Sequence, residues 1–408
     1  MKVIKLIRDK ISWKTTGSSI VLVFNSFVWY IFAYIIFADI INLKTPQFEI
    51  ELYSIYYISV AIAAVVGAKI FPRFRVKSLL IWILFGAIST SLLFFITGES
   101  FLISGLIASI FGLSVGIGLP SCLSFFADIT KIENRSFVGG IIWSLVGVFV
   151  LGFAFLFTIL TQEEMLILLI IWRILGVFIF QILNRNYKKP EVQKTPSYFE
   201  LLKDKKILMY LFPWIMFSII NFAEAPMIEV AIVATGVNYE ILQLLTWFFV
   251  GVFAIIGGYI ADIVGRKRVI IAGFVMLGIE YATMSTFYNH VFASYLFMVL
   301  DGVSWGLLFS VFFMSLWGDL GQYQIKEKYY VLGGLPYLLA NFLYVLIKPI
   351  ASSNPDNVST AFTIASFFLF LAILPLIYTT ETLPEKKIKE RELNNYLQNA
   401  QKVKEKYA

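Results

Sequence analysis

Apolar runs of about 20 residues, parted by short charged clusters, repeat along most of the chain. Runs of this length suit membrane-crossing helices. Barrel strands would alternate strictly over about 10 residues, and that pattern is absent. Twelve spans are predicted, at roughly 17–40, 50–71, 78–97, 101–127, 136–160, 164–185, 206–236, 239–261, 269–288, 291–317, 329–349 and 358–379. The stretch NRNYKKPEVQKTPSYFELLKDKK parts the sixth from the seventh. Its two prolines and many lysines read as a solvated linker that can hold a short surface helix. The start, MKVIKLIRDKISWK, is basic, but the run from Gly17 to Ile40 is too long for a signal peptide core and lacks a small-residue cleavage site. It is expected to remain as the first span.

Composition narrows the class. Of 408 residues, 59% are hydrophobic and 14% charged, more apolar surface than a soluble chain of this length can hide. One cysteine, Cys122, excludes an internal disulfide and a cysteine metal cluster. One histidine, His290, excludes a His-rich metal site. No nucleophile–base pair, metal cluster or phosphate loop is recognisable, so neither an enzyme, a cofactor nor a metal is expected. The net charge of +7 needs no nucleic-acid partner, because basic residues gather on the cytoplasmic side of membrane proteins.

Lys and Arg fall on one side. Lys2, Lys5, Arg8, Lys10 and Lys14 precede the first span. The even-numbered gaps carry Lys69, Arg73, Arg75 and Lys77, then Lys131 and Arg135, the linker, Arg266–Arg268, and Lys326 with Lys328. The odd-numbered gaps carry Lys44 and otherwise acids, including Glu49, Glu99, Glu163, Glu240 and Asp356. The bias predicts cytoplasmic termini in a multi-pass plasma-membrane protein. A glycosylation sequon at Asn357 carries no weight, since Asn134 offers another on the inner side.

The two halves resemble each other. Gly67, Arg75 and Asp128 lie 191 residues before Gly258, Arg266 and Asp319; at a spacing of 194, Glu133 meets Glu327 and Gly139-Gly140 meets Gly333-Gly334. Duplicated halves around a cytoplasmic linker suit a transporter with its solute site between them. The predicted class is an all-α membrane protein with twelve transmembrane helices in two pseudo-symmetric six-helix bundles. The domains are 1–185, a cytoplasmic linker 186–205, a second bundle 206–385, and a cytoplasmic tail 386–408.

The stretch GGYIADIVGRKRV, with Gly258, Asp262, Gly265, Arg266, Lys267 and Arg268, resembles the loop motif of the major facilitator superfamily. So do ADITKIENR, GDLGQYQIKEK and the ending ETLPE, and the resemblance covers about 17–385. It implies a loop between the second and third helices of a half, and inner latches in which Arg266 meets Asp319 and Arg75 meets Asp128. Asp262 can face the N-terminus of a neighbouring helix. The first half departs from the motif: Phe71 stands for Asp262, Phe74 for Gly265, and Pro72 reads as an insertion. Its latch is expected to be the weaker one.

Ionisable groups at the bilayer centre cost at least about 2.5–3.5 kcal/mol, so each needs a reason. They are Arg173, Glu224, Glu229, Glu280 and Asp301, with Lys348 nearer the outer end. The resemblance places Glu224 and Asp301 on cavity helices, and Arg173 and Glu280 on peripheral ones, where pairing or hydrogen bonding is expected. Pro226 is expected to break the seventh span beside Glu224, with Asn221 on the same face. Asn25, Ser26, Ser114 and Ser121 are the polar contribution of the first half, and Trp305 can stack on a ligand. The antiporter signature and the fourth-helix arginine of the family are both absent.

These readings point to a monomeric secondary transporter moving a small organic solute through the bilayer, with import of a metabolite or sugar by proton symport first. Proton-coupled efflux of organic cations is the alternative. A non-transporting sensor of the same fold is the rival from another class, disfavoured by the short tail.

Overall fold

The structure is a computed structural model and describes residues 13–96, 100–184, 196–322, 324–353, 358–383 and 393. The described residues form no β-strand. Among them, twelve helices are long and apolar enough to cross a membrane: α1 Thr16–Asn42, α2 Pro46–Arg73, α3 Arg75–Phe95, α4 Phe101–Ile129, α5 Arg135–Ile159, α6 Gln162–Leu183, α7 Lys205–Ala234, α8 Tyr239–Val264, α9 Arg266–Phe287, α10 Val291–Leu320, α11 Glu327–Ala351 and α12 Val358–Tyr378. The chain is thus a helical membrane protein. Its helices end within about one turn of the predicted bounds. Residues 186–195 of the linker, and all but one residue of 386–408, lie outside the described residues. The linker closes with a short helix, Tyr198–Lys203, started by a reciprocal cap between Ser197 and Glu200. The carboxylate of Asp204 then caps α7 through the N–H of Lys206, at 2.8 Å.

Helices α1 to α6 pack largely on one another: α2 on α4, α3 on α4 and α6, and α1 on α4, α5 and α6. Among the later helices, α8 packs on α10, α9 on α10 and α12, and α7 on α11 and α12. Contact between the two sets runs through α5 against α8 and α10, and α11 against α2 and α4.

Glycines set the closest crossings. A Cβ on Gly112 or Gly116 of α4 would run into the carbonyl oxygens of Tyr56 or Val60 on α2. On α10, Gly302 and Gly306 stand in the same relation to Thr246 and Val250 of α8, every residue 190 positions after its counterpart. Likewise Gly67 abuts Ile117, and Gly257 abuts Leu307. The structural counterpart of Gly67 is therefore Gly257, one residue before the position that sequence spacing chose. Gly258 does something else, seating α8 against the carbonyl of Ser136 on α5. The spacing grows to 191 at Arg75 and Arg266 because the α8–α9 turn carries the extra residue, so Pro72 is no insertion. It grows to 191 again at Asp128 and Asp319, beyond a π-helical segment in α10, Phe309–Leu316. A π turn absorbs one residue more than an α turn.

Candidate functional site

Buried polar groups interrupt the apolar interior, and two assemblies of them draw on several helices each. The first lies where the α2–α3, α4–α5, α8–α9 and α10–α11 turns meet, the basic end of the molecule. Arg75 pairs with both Asp128 and Glu327, and Lys326 pairs with Asp128. Arg135 pairs with Asp319, which also accepts from Arg266 Nε at 3.0 Å. Arg266 Nη1 reaches Asp262 at 2.7 Å, and its Nη2 donates to the carbonyl of Ile132 at 2.5 Å. Four carboxylates thus face four cations in a largely buried site. Asp262 sits at the N-terminus of α5, accepting from the N–H groups of Ser136 (3.2 Å) and Phe137 (2.9 Å). There the unpaired amides and the helix dipole favour a carboxylate.

A strap after α12 closes this end. The carboxylate of Glu381 accepts from the N–H groups of Arg266 and Lys267, each at 3.0 Å, and so caps α9. Lys267 Nζ donates to the carbonyls of Ile377 (2.8 Å) and Thr379 (2.9 Å). Gly265 holds φ +107°, and any Cβ there would collide with Glu381. Arg268 is exposed. Sequence reasoning paired Arg266 with Asp319 and Arg75 with Asp128, and the structure brings both pairs together. It missed the roles of Arg135, Lys326, Glu327 and Glu381. The spacing of Glu133 to Glu327 and the ETLPE ending were the available signals. The earlier and later helix sets are cross-tied here: Asp128 to Lys326, Arg75 to Glu327, and Arg135 to Asp319.

The second feature is a cavity of ≈ 230 Å³ lined by α7 (Asn221, Phe222, Ala225, Ile228), α8 (Tyr239, Gln243, Thr246, Trp247, Val250), α10 (Phe297, Asp301, Trp305, Phe309) and α11 (Tyr337, Asn341, Tyr344). All its walls come from the later six helices, rather than from both sets as expected. The earlier set touches it from behind, where Trp143 of α5 stacks on Phe309 with ring centres 4.0 Å apart. Asp301 is the one charged residue of the lining. Its carboxylate meets the Trp305 side chain one turn on. Trp305 is itself held edge-on by Phe217 and Tyr337. Beside the cavity α11 is interrupted at Asn341, between helical segments Glu327–Ala340 and Phe342–Ser353. Among the described residues, the side-chain amides of Asn221 and Asn341 have no hydrogen bond.

Of the residues singled out from sequence, Asn221, Asp301 and Trp305 line this cavity; Glu224, Glu229 and Asn25 do not. Glu224 leaves Oε2 buried and without a hydrogen-bond partner. Helix α7 runs on through Pro226 without the expected break. Glu229 accepts from Tyr344 at 3.0 Å. Asn25 turns the other way, into the interior of the first set. Its Nδ2 donates to the carbonyl of Trp172 (2.7 Å), and its Oδ1 accepts from Arg173 (2.9 Å). Arg173 is fully buried, bonded also to Ser26 and lying over the rings of Trp29 (4.3 Å) and Trp82 (4.9 Å). Glu280 on α9, 1% exposed, has neither carboxyl oxygen hydrogen-bonded and feels Asp301 electrostatically. The expected pairing of these two peripheral charges is therefore met for Arg173, by neutral partners, and not for Glu280.

No protein-family model and no curated protein matches this sequence.

Proposed function

We propose that this chain is a secondary active transporter of the major facilitator type, carrying a small organic solute by alternating access. The cavity carries the reading: a lone carboxylate in its lining, Asp301, about a third of the way along α10 among aromatic and amide side chains, with the basic end of the same helices tied shut. The glycine crossings repeated at 190 residues, and the division of packing between α1–α6 and α7–α12, support two pseudo-symmetric six-helix bundles over 1–185 and 206–385. Lys and Arg bias supports cytoplasmic termini in a cell membrane, which makes the ion-pair network an inner latch and this conformation one closed to the cytoplasm.

A buried carboxylate with no cation in the lining around it needs a positive partner. In proton symport of a neutral metabolite or sugar, that partner is a proton on Asp301, while the amides of Asn221 and Asn341 and the indole of Trp305 hold the solute. A second reading is efflux of organic cations. It is favoured by the aromatic lining, since Trp and Tyr faces attract cations.

Uptake into proteoliposomes tests both, with a panel of sugars, carboxylates, amino acids and organic cations, with and without a pH gradient. One neutral class should accumulate when the outside is acidified. Asp301→Asn should then cut gradient-driven accumulation more than about tenfold and spare exchange at equal pH, with Glu224→Gln less harmful because Glu224 lies off the cavity. Loss of accumulation and exchange together would favour the cation reading. Absence of transport across the whole panel would count against a transporter.

A further inference from the structure

At the basic half of the molecule an apolar groove of ≈ 680 Å³ opens between α2, the linker helix, α7 and α11. Ligand pockets commonly span about 300–1,000 Å³. Its floor is α11, with Leu335 and Leu339; its flanks are Val65 of α2 and Leu211 to Ile219 of α7. Leu211 and Ile219 lie eight positions apart on α7, which makes it about 12 Å deep along the helix axis. The mouth is formed by exposed apolar side chains, Val65 (43%), Leu202 (43%) and Ile219 (48%). In a helix bundle within a bilayer, such side chains face lipid tails.

Chemistry changes sharply at the inner rim. Exposed Lys69 stands one helical turn beyond Val65, exposed Lys203 follows Leu202, and Lys328 lies one turn before Leu332. Lys328 Nζ sits 5.3 Å from the Tyr198 ring and donates to the carbonyl of Pro196 at 2.6 Å. Tyr198 lines the groove and keeps a buried hydroxyl without a hydrogen-bond partner. The acids nearby are already engaged. Glu200 caps the linker helix, Asp204 caps α7, and Asp128 and Glu327 belong to the ion-pair network.

We infer that this groove is a binding site for an anionic membrane lipid, with one acyl chain along α11 and the headgroup phosphate at Lys69, Lys203 and Lys328. An apolar slot open to the hydrocarbon beneath a cationic rim matches both ends of such a molecule. The bound chain touches α2 and α11, one of the places where the two helix sets meet, so its occupancy reinforces the closed basic end. This site depends only on the chain lying in a bilayer, and stands whether or not the chain is a transporter.

A fluorescent label on Leu202→Cys, in a Cys122→Ala background, tests it in vesicles of phosphatidylcholine containing brominated-chain phosphatidylglycerol. Brominated phosphatidylcholine and a label on lipid-facing Ile171→Cys of α6 serve as references; Val65→Cys replaces Leu202→Cys if that variant does not fold. Quenching at the groove should reach half-maximum at a mole fraction of phosphatidylglycerol roughly tenfold below that needed at Ile171, the worth of one to two lysines near an anionic surface. The preference should vanish in Lys69→Gln/Lys203→Gln/Lys328→Gln. Equal quenching at both positions, or equal quenching by both lipids, would reduce the groove to ordinary annular contact. An unquenched groove label would mean that no lipid chain enters, and either result overturns the site.

Discussion

Asp319 shows how one residue can serve two roles at once. Arg135 and Arg266 both pair with it, so it joins α5 to α9 across the basic end. A simple charge exchange between Arg266 and Asp319 is therefore expected to fail. Arg at 319 would confront Arg135, and Asp at 266 would confront Asp262. The better probe is truncation. Removing one partner of a buried pair typically costs about 3–5 kcal/mol, because the other charge is left unpaired. Arg266→Ala takes the cation from Asp262 and leaves Asp319 only Arg135, Arg135→Ala leaves Asp319 only Arg266, and only the double variant leaves Asp319 with neither. The double variant should therefore depart from additivity by more than about 0.5 kcal/mol in thermal or chemical unfolding of the purified protein. Strict additivity would mean that Asp319 does not couple them.

Among the helices, α10 carries the most constraints. Its Gly302 and Gly306 seat it on α8, and its π segment shifts Asp319 by one residue relative to the α4 pattern, bringing it to both arginines. Gly306 has backbone atoms of α8 inside normal Cβ contact distance, whereas a Cβ on Gly152 of α5 would meet nothing within 4 Å. Gly152→Ala should stabilise by up to about 1 kcal/mol through helix propensity alone. Gly306→Ala should destabilise by about 1–3 kcal/mol, as overpacking does. Melting temperatures in detergent that move in the same direction for both would contradict this assignment of the α8–α10 crossing.

For the whole molecule, the orientation proposed from the Lys and Arg bias puts the ion-pair network on the cytoplasmic face. Single cysteines in 186–205, in the Cys122→Ala background, should resist an impermeant thiol reagent applied to intact cells. Glu240→Cys, exposed in the first turn of α8 at the far end of these helices, should react. The opposite pattern would invert the molecule and make the network an outer latch. Either way, opening the basic end must break several buried pairs at once. That suits a device with two discrete states rather than a gradual hinge.

Helix number, length and end points were legible in the sequence. They depend on local quantities, the length of apolar runs and the positions of Gly, Pro and charge. The Arg75–Asp128 and Arg266–Asp319 contacts were legible too, through the resemblance of the loop motif, with the repeat carrying the pair from one half to the other. Rotation of each helix about its axis was not. Successive side chains turn by about 100°, so a one-residue ambiguity swings a polar group from cavity to interior. Asn25 therefore turned out to hold Arg173, Glu224 lies off the cavity, and Asp301 lies on it. Contacts over long separations, such as Arg135 with Asp319, Arg75 with Glu327 and Glu381 at the start of α9, were decided by how the helices pack. The same holds for the groove over α11, whose apolar walls come from four separate segments.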